Sequence, residues 1–372
     1  TAYDMAMGTS QMLGCLTERL QAISADTTLT CFGQEFNPET YAIAKADMLI
    51  KGGNASGMKY GDTLSDDAFS GYEFDYIISN PPFGIDWKRE KTQVESEAKR
   101  GFDGRFGPGL PAISDGQMLF LLNGVRKLKT GSGRMAIIQN GSSLFTGDAG
   151  SGASEIRRYV IEGDLVEAII QMPTDLFYNT GISTYIWVLT KGKTMQRSGR
   201  VQLIDASKCY VKRRKNIGNK RVDLDDACIR LILRAYEGFA DETCEDNGLI
   251  VESKVFDNRF FGFTKVTVET AQTDEHGKPI LKKGKKQPVK GATDTEIIPL
   301  SEDIDAYMEK NVLPYNPLAY IDHAKDKIGY ELPFTRLFYQ FVPPTPSDEI
   351  FAEIKELEAE ESALMKELFG NA

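Results

Sequence analysis

Four consecutive residues, Asn80, Pro81, Pro82 and Phe83, could hold a flat, hydrogen-bonding group such as a nucleobase. The side-chain oxygen of Asn80 and the backbone carbonyl of Pro81 could each accept one hydrogen of an exocyclic amine. Pro82 would fix the bend, because its φ is locked at about −65°, and Phe83 would stack on the ring. The same residues are also typical of an ordinary Asn-Pro-Pro turn that leaves a buried strand. The tetrapeptide by itself leaves both interpretations open.

Methylation of an adenine amine is a reaction that this arrangement would suit. The amine is a poor nucleophile because its lone pair is delocalised into the ring, and two acceptors would turn that lone pair toward an electrophilic methyl group. A base inside a duplex cannot reach such a pocket, so it would have to be flipped out. Stacking on Phe83 would offset part of the unstacking cost.

Acidic residues mark the ends of the first three strand candidates: Asp4, Glu35 and Asp62. Strand and helix patterns alternate up to about Lys191, which predicts an α/β fold with a doubly wound, Rossmann-like sheet. The carboxyl ends of the strands form the ligand crevice in such sheets. We therefore expect the three acids and Asn80, at the fourth strand end, to share one crevice.

The first strand candidate is followed by a short loop with the layout of a nucleotide-binding turn. Gly8 permits a tight turn, and a helix is expected to begin at Thr9 or Ser10, which would direct backbone N–H groups at a ligand. An acid at the tip of the second strand, here Glu35, commonly binds ribose hydroxyls. A single glycine is weak evidence for a nucleotide-binding loop. The series of polar residues at the strand ends is what supports this interpretation.

Composition narrows the class of protein. The chain has 372 residues, of which 41% are hydrophobic, enough for a large core in about two domains. No apolar run approaches the roughly 18 residues of a membrane span, and the five cysteines lack metal-like or paired spacing, as expected for reduced thiols in a cytoplasmic protein. His276 and His323 are the two histidines, which disfavours a histidine triad, a multi-histidine metal site and most hydrolases.

The net charge of −10 opposes a protein that grips nucleic acid unaided, because such proteins usually present a basic face. Two clusters of lysine and arginine, in residues 208–221 and 282–290, could form a local basic patch. Lysine-rich turns are more often plain solvated loops.

Together these motifs resemble the S-adenosylmethionine-dependent adenine-N6 DNA methyltransferases, and specifically the modification subunit of type I restriction-modification systems. Beyond residues 80–83, the likeness covers nearly the whole chain, through residues 33–35, 37–38, 41–45, 133–138, 156–159, 162–166, 173–177, 181–187 and 329–336.

The resemblance implies a role for each strand-end residue. The methionine end of the cofactor S-adenosylmethionine would be held by the first acid and the loop after it, that is by Asp4, Gly8, Thr9, Ser10 and Gln11. Glu35 would hold the ribose hydroxyls. Asp62 would bind the cofactor adenine, with Phe36 and Leu64 available to sandwich its ring.

The resemblance also implies a reaction and partners. Asn80, Pro81, Pro82 and Phe83 would hold the target adenine for direct methyl transfer, with no general base before transfer because the amine becomes strongly acidic after it. Target recognition would come from a specificity subunit, which makes an acidic chain admissible. A second modification subunit, double-stranded DNA and, in a complete system, the restriction (nuclease) subunit would complete the assembly, with no membrane involved.

Two departures weaken the cofactor half of the site. The family usually has Asp-Pro-x-x-Gly-Thr/Ser-Gly-Gly, whereas this chain has Met5 for proline and Ser10 and Gln11 for the later glycines. A Cβ at Ser10 is harmless only if φ there is negative. Family members also carry a helical domain before this motif, which residues 1–372 lack. Alternatives are therefore an assembly subunit without cofactor binding, or methylation of another amine or amide, such as a glutamine side chain.

We predict a catalytic core in residues 1–205, a helix and hairpin extension in 206–300, and a C-terminal segment in 301–372 that ends in a partner-docking helix, 347–369. The segment 84–112 is either a lid over the flipped base or a disordered surface loop. The C-terminal helix would begin with Ser347 as its cap, and it carries an apolar stripe of Ile350, Ile354, Leu357, Leu364 and Leu368. Such a stripe is typical of a coiled-coil strand or of a helix packed on its own domain, and the resemblance favours docking on the helical spacers of the specificity subunit.

Overall fold

The computed structural model describes residues 1–339, 341 and 343–370. The chain forms two compact units, Thr1–Phe334 and Thr335–Ala372. Short apolar strands and helices alternate along the first half of the larger unit. Its strands are β1 (Ala2–Asp4), β2 (Cys31–Glu35), β3 (Met58–Tyr60), β4 (Tyr76–Ser79), β5 (Arg134–Asn140), β6 (Val166–Gln171), β7 (Thr184–Thr190) and β8 (Arg200–Asp205). Its helices are α1 (Gln11–Ile23), α2 (Pro38–Ile50), α3 (Lys91–Ala98), α4 (Gln117–Lys127), α5 (Ser142–Phe145) and α6 (Gly152–Glu162).

The central sheet has the strand order β11-β12-β8-β6-β7-β5-β4-β1-β2-β3, where β11 is Glu242–Asp246 and β12 is Leu249–Asp257. The strands β3, β2, β1, β4 and β5 are mutually parallel, and β7 runs antiparallel between β5 and β6. The order 3-2-1-4-5 is that of doubly wound dinucleotide-binding sheets, and it reverses between β1 and β4. The predicted α/β fold class is confirmed.

Apolar side chains on both faces of the sheet form the core. The strand β6 is buried at five successive positions, Val166 to Ile170, which is typical of a strand covered on both faces. On one side of the switch point, Leu13 of α1 and Ala44 and Met48 of α2 pack against the first three strands. The alternation of strands and helices expected up to about Lys191 is present, because each element has a clear hydrophobic period.

The rest of the larger unit extends the central sheet and adds a second one. A two-stranded hairpin, β9 (Val211–Ile217) and β10 (Lys220–Asp223), precedes α7 (Asp226–Gly238), which packs on β12, β11 and β8. The second sheet contains β13 (Gly262–Ala271), β16 (Pro288–Pro299), β17 (Ala319–Ile321) and β18 (Lys327–Tyr330). The elements β14 (Leu281–Lys282), β15 (Lys285–Lys286) and α8 (Ile304–Asn311) complete the larger unit. The helix α9 (Phe334–Phe338) begins at the last residue of that unit, and α10 (Ser347–Phe369) belongs to the smaller unit.

The C-terminal helix α10 occupies the predicted residues. Its N-cap is Pro346, whose side chain has no atom that could accept a hydrogen bond from the first-turn N–H groups, and Ser347 is the first helical residue rather than the cap. None of the described residues of α10 is buried, and its apolar stripe is exposed, with Leu357 at 64% and Leu368 at 73%. Within the described ranges, no helix combines the length and apolarity that crossing a membrane requires.

Candidate active site

The carboxyl ends of β1 and β4 meet at the point where the strand order reverses, and a hydrogen bond joins them there. The hydroxyl of Ser79 donates to Oδ1 of Asp4 at 2.7 Å, and the backbone N–H of Ala6 donates to the same oxygen at 3.1 Å. Asp4 is only 1% exposed. Asp4 is therefore buried at the switch point, where the crevice of doubly wound sheets is expected.

Burial of the Asp4 carboxyl makes its charged form unfavourable. The pKa rises from 3.8 to about 6, mainly because of desolvation, with the hydrogen bonds from Ser79 and Ala6 acting in the opposite direction and the charge of Glu35 adding to the rise. A cation that entered the crevice would favour the ionised form of Asp4.

This shift predicts a specific dependence of stability on pH. Between about pH 4 and pH 6 the folded chain holds a proton on Asp4 that the unfolded chain has lost, so the stability that Asp4 contributes falls as pH rises through this window. The two-unit shift corresponds to about 3 kcal/mol. We expect urea unfolding from pH 4.5 to 7.5 to reveal about 2 kcal/mol of this loss in the native chain, because the rest occurs below pH 4.5, and Asp4→Asn to flatten the curve by that amount. Identical curves for the two proteins would contradict the prediction.

The loop between β1 and α1 has two residues with positive φ. Gly8 has φ 52°, and its backbone N–H donates to Oε2 of Glu35 at 3.0 Å. Ser10 has φ 61° and ψ 18°, is 1% exposed, and has a hydroxyl without a partner among the described residues. Ser10 therefore does not have the negative φ that would make its Cβ harmless in this loop. A left-handed non-glycine residue costs about 1–2 kcal/mol, so the loop keeps the shape of a glycine loop under strain.

The side chain of Gln11 is directed away from the crevice, and the backbone carbonyl of Thr9 is one of its hydrogen-bond acceptors. The side-chain amide of Gln11 donates to the carbonyl of Thr9 and to Oδ2 of Asp47, both at 3.3 Å, and its oxygen accepts from Nζ of Lys51 at 3.4 Å. Both Asp47 and the C-terminal end of α2 are outside the crevice lining. The side chain of Gln11 is therefore engaged with α2.

A cleft of about 380 Å³ opens beside Asp4 at the same edge of the sheet. It brings together Glu35, Asp62 and Pro82 from three different strand ends, with Phe36 and Leu64 also in its lining. Its volume lies in the range of small-molecule sites, roughly 300–1,000 Å³. Residues predicted for the cofactor ribose and adenine thus share one cavity.

The carboxylates in the cleft are held by backbone N–H groups. Glu35 accepts from Gly8 through one oxygen and from Asn37, at 2.8 Å, through the other. Asp62 accepts from the N–H groups of Leu64 and Ser65 at 2.7 and 3.3 Å. Each carboxylate oxygen has two lone pairs, so both side chains can accept further hydrogen bonds from a ligand.

The segment 84–112 forms one wall of the cleft. Trp87 is 2% exposed and its indole N–H donates to the carbonyl of Ala112 at 3.0 Å. Arg89 and Glu90 line the cleft with it, and burial, followed by a hydrogen bond with Asp62, raises the pKa of Glu90. The segment is therefore packed against the site, and this arrangement does not agree with its interpretation as a disordered surface loop. Individual residues of this wall had no signal in the sequence.

Arg105 fastens this segment to the loop that carries Asp62. It is 8% exposed, and its guanidinium donates to the carbonyls of Thr63 and Leu64 at 2.7 and 3.0 Å and to Oδ1 of Asn123 at 3.1 Å. Its second partner group is the carboxylate of Glu97, at 2.6 Å. Sequence reasoning missed Arg105 because these contacts join residues distant in the chain.

The tetrapeptide 80–83 lies directly after β4. The side-chain oxygen Oδ1 of Asn80 is buried and has no hydrogen-bond partner among the described residues. Pro81 is buried, Pro82 is exposed and lines the cleft, and Phe83 is half-buried. Phe83 is therefore not a core residue. The cleft wall includes Pro82 alone of the four, so Asn80, Pro81 and Phe83 flank the cleft rather than line it.

A polar cluster at the carboxyl end of β5 borders the tetrapeptide. The amide of Gln117 donates to Oδ2 of Asp115 and to Oδ1 of Asn140, both at 2.7 Å, and the hydroxyl of Ser142 donates to Asp115 at 2.7 Å. The N–H of Gly84 points at Oδ1 of Asp115 at 3.4 Å. The cluster ties the turn after Phe83 to its neighbouring strand, and it had no motif by which the sequence could identify it.

Comparison with known proteins agrees with this geometry. Residues 1–275 match the family described as N-6 DNA Methylase. The chain belongs to the N-6 DNA methylase family. It is 28% identical over 267 residues to the type I restriction enzyme MjaIX methylase subunit of Methanocaldococcus jannaschii. The matched region covers 71% of this chain and 44% of that relative. The chain is 28% identical over 290 residues to the HindI methylase subunit of Haemophilus influenzae, with 76% and 61% covered.

Solved structures of the same kind are similar to this methylase chain. The type I restriction-modification system methyltransferase subunit from Streptococcus thermophilus matches with a TM-score of 0.56 and 28% identity, over 69% of this chain and 50% of that one. The type I restriction enzyme EcoKI M protein matches with a TM-score of 0.51 and 19% identity, over 69% and 58%, and supports the fold. The resemblance to type I modification subunits is confirmed. The chain spans about half the length of the curated relatives, 44% and 61% of the two above.

Proposed function

We propose that this chain transfers a methyl group from S-adenosylmethionine to the N6 amine of a flipped-out adenine in DNA, as the modification subunit of a type I restriction-modification complex. The observation that carries the proposal is the buried Oδ1 of Asn80, which has no hydrogen-bond partner in the part of the chain that the structure describes, next to a cleft lined by Glu35 and Asp62. A buried acceptor without a partner costs about 1–3 kcal/mol. That cost is understandable if the acceptor is reserved for the amine of the target base.

The residues at the strand ends fit S-adenosylmethionine. Its sulfonium supplies the activated methyl group. Glu35 would accept hydrogen bonds from the ribose hydroxyls, and Asp62 would accept from the adenine amine between Phe36, which is 61% exposed, and Leu64. The buried carboxyl of Asp4 would face the positively charged methionine end, because an opposite charge favours its ionised form.

On the substrate side, Asn80 and the carbonyl of Pro81 would accept the two amine hydrogens and so orient the lone pair. Phe83, which is half-buried beside them, would stack on the base. The wall formed by residues 84–112, with Trp87 held against Ala112, would exclude water from the reacting atoms. Such positioning raises the rate because the reactants no longer have to find their geometry. As a DNA enzyme, the protein would act in the cytoplasm.

Titration calorimetry with S-adenosylmethionine tests the cofactor half of the proposal. We expect saturable binding by the native chain and a dissociation constant about 10- to 100-fold higher for Glu35→Ala, because a hydrogen bond to a charged group contributes about 1.5–3 kcal/mol. Glu35→Gln keeps an acceptor for the N–H of Asn37 or Gly8 and is expected to lose less.

The matched control is Glu39, an exposed carboxylate in the first turn of α2 near the same sheet edge. Glu39→Ala should bind the cofactor as the native chain does. Equal losses in Glu35→Ala and Glu39→Ala would mean that general charge, rather than the cleft, attracts the ligand.

An assembly subunit that no longer binds the cofactor is the second candidate function. The left-handed, buried Ser10 and the engagement of Gln11 with α2 favour it, because both occupy a loop in which the family usually has glycine. The absence of any heat of binding in the native chain would decide for this candidate. Methylation of a glutamine or another amine has no observation in its favour.

For partners, we propose that the exposed stripe of α10 docks on the specificity subunit, in a complex that also contains a second modification subunit and the restriction subunit. Deletion of residues 347–372 is expected to abolish co-purification with the specificity subunit. Leu357→Asp should weaken it strongly, because Leu357 is 64% exposed at the centre of the stripe. Ala359→Asp, on the opposite face of the same helix, is the control. Complex formation that survives the deletion would disprove docking through α10.

A further inference from the structure

The β9–β10 hairpin, residues 211–223, is strongly basic in an acidic chain. It carries six basic side chains and one acidic one, whereas the whole chain has a net charge of −10. Its basic residues are Lys212, Arg213, Arg214, Lys215, Lys220 and Arg221.

The hairpin stands at the edge of the central sheet where the candidate active site lies. It follows the carboxyl end of β8, where the N–H of Ala206 donates to the carbonyl of Gln171 at the end of β6 at 3.0 Å. The N–H groups of Asn219 and Arg221 donate to the carbonyls of Tyr178 and Asp175, both at 2.9 Å. Since β6, β5 and β4 run in the same direction, the hairpin is fastened to the same edge as Asn80.

Among the described residues, four of the six basic side chains have no ion-pair partner. Arg213 and Lys220 are paired with Asp223, and Nζ of Lys220 also donates to the carbonyl of Leu176 at 3.0 Å. Within residues 1–339, by contrast, no acidic side chain pairs with the exposed Lys212, Arg214, Lys215 and Arg221. Their charge is therefore directed to solvent, where it can attract an anion.

The hairpin is hydrogen-bonded to Asp175 and Tyr178, which follow β6. Three strand intervals separate β4 from β6 in the sheet, which is about 14 Å because neighbouring strands lie about 4.8 Å apart. Phosphates of one DNA strand advance about 3.4 Å per nucleotide along the axis. A DNA strand whose base is held at Asn80 would therefore cover the distance to the end of β6 in about four nucleotides.

We propose that the β9–β10 hairpin binds the phosphate backbone of duplex DNA on one side of the target adenine. The proposal rests on the function proposed above and names the surface by which an acidic chain would hold its substrate. The positive charge that contacts the duplex would come from the basic side chains of this hydrogen-bonded hairpin, although the net charge of the protein is negative.

The lysines at the tip of the second sheet provide a matched comparison. Lys282, Lys283 and Lys285 are exposed, and they lie in β14, in the following turn and in β15, between β13 and β16. Removing three charges there changes the net charge as much as removing three from β9. If DNA binding depends on where the positive charges lie, and not only on their number, then removing the hairpin charges and removing the tip charges will have different effects.

The experiment measures binding of a fluorescent 30-base-pair duplex to the full chain by anisotropy, over a series of NaCl concentrations. The triple variant Lys212→Gln, Arg214→Gln, Lys215→Gln is expected to lower the slope of log K against log salt by about 2–3, since each phosphate contact contributes about 0.9. Its affinity at low salt should fall at least tenfold. The tip variant Lys282→Gln, Lys283→Gln, Lys285→Gln should change affinity less than twofold.

Each other outcome overturns the proposal. Equal losses in both variants would show a non-local charge effect, and unchanged DNA binding with lost co-purification of the specificity subunit would show a protein contact instead. Calorimetry with S-adenosylmethionine in the same proteins keeps the two proposals apart, because cofactor binding that persists without DNA binding contradicts the hairpin and not the cofactor site. If the triple variant does not fold, the single variant Arg221→Gln should still lower the slope by about one.

Discussion

Replacement of Asn80 by alanine is expected to lower the rate of methyl transfer about 100- to 1,000-fold while the dissociation constant for S-adenosylmethionine stays unchanged. Asn80 has a buried amide oxygen with no partner among the described residues, and it flanks the cofactor cleft rather than lining it. Loss of one preorganised hydrogen-bonding group at a reacting centre costs about 2.7–4 kcal/mol. Incorporation of a labelled methyl group into DNA by the assembled complex measures the rate.

The folding free energy of the same variant separates a catalytic from a structural role. If the oxygen of Asn80 is a reserved acceptor, its removal relieves a desolvation cost, and Asn80→Ala should be as stable as the native chain or slightly more stable. If Asn80 merely shapes a turn, the variant should lose stability and cofactor binding together. Asn80→Asp keeps an acceptor at the position and should retain more activity than Asn80→Ala.

Replacement of Arg105 by methionine should give the largest loss of stability, about 3–5 kcal/mol. The guanidinium is 8% exposed, and without it the carboxylate of Glu97 and the carbonyls of Thr63 and Leu64 would lack their donors. Breaking a buried charge pair by removing one partner costs that much because it leaves an uncompensated charge. Chemical denaturation measures the change.

We also expect Arg105→Met to weaken cofactor binding, because the anchored carbonyls directly follow Asp62 in the cleft. The control is Arg157, which is 1% exposed and donates to the carbonyls of Ser143 and Thr146 at 3.2 and 3.0 Å, away from the cleft lining. Arg157→Met should lose less stability than Arg105→Met, because the hydrogen-bond partners of Arg157 among the described residues are carbonyls and not a carboxylate, and it should keep the native dissociation constant at a temperature where it is folded. If both variants bind alike, Arg105 serves only the stability of the fold.

The acidic net charge of the chain is a weaker argument against DNA binding once the positions of the charges are known. An acidic total says little about where charges lie, and basic residues in β9 and β10 are concentrated on one hairpin at the carboxyl edge. The acidic residues Asp4, Glu35 and Asp62 occupy the same edge nearer to β1. A sheet edge that is acidic at one end and basic at the other can hold a cationic cofactor and an anionic duplex side by side.

Local sequence patterns were sufficient to predict the α/β fold, the strand ends that carry Asp4, Glu35, Asp62 and Asn80, and the helix at 347–369. These follow from local hydrophobic periods and from short motifs, since a strand or an amphipathic helix is specified by residues a few positions apart. The carboxyl-edge rule then places the four polar residues together without knowledge of any contact.

The contacts that join distant segments were visible only in the three-dimensional structure. It assigned Ser10 a left-handed conformation, packed residues 84–112 as a wall of the cleft, and placed the guanidinium of Arg105 on carbonyls 41 and 42 residues away in the chain. It also brought the β9–β10 hairpin to the edge that holds Asn80. Such contacts depend on how the sheet folds back on itself, and no local pattern encodes them, because side chains far apart in sequence meet only after the strand order is set.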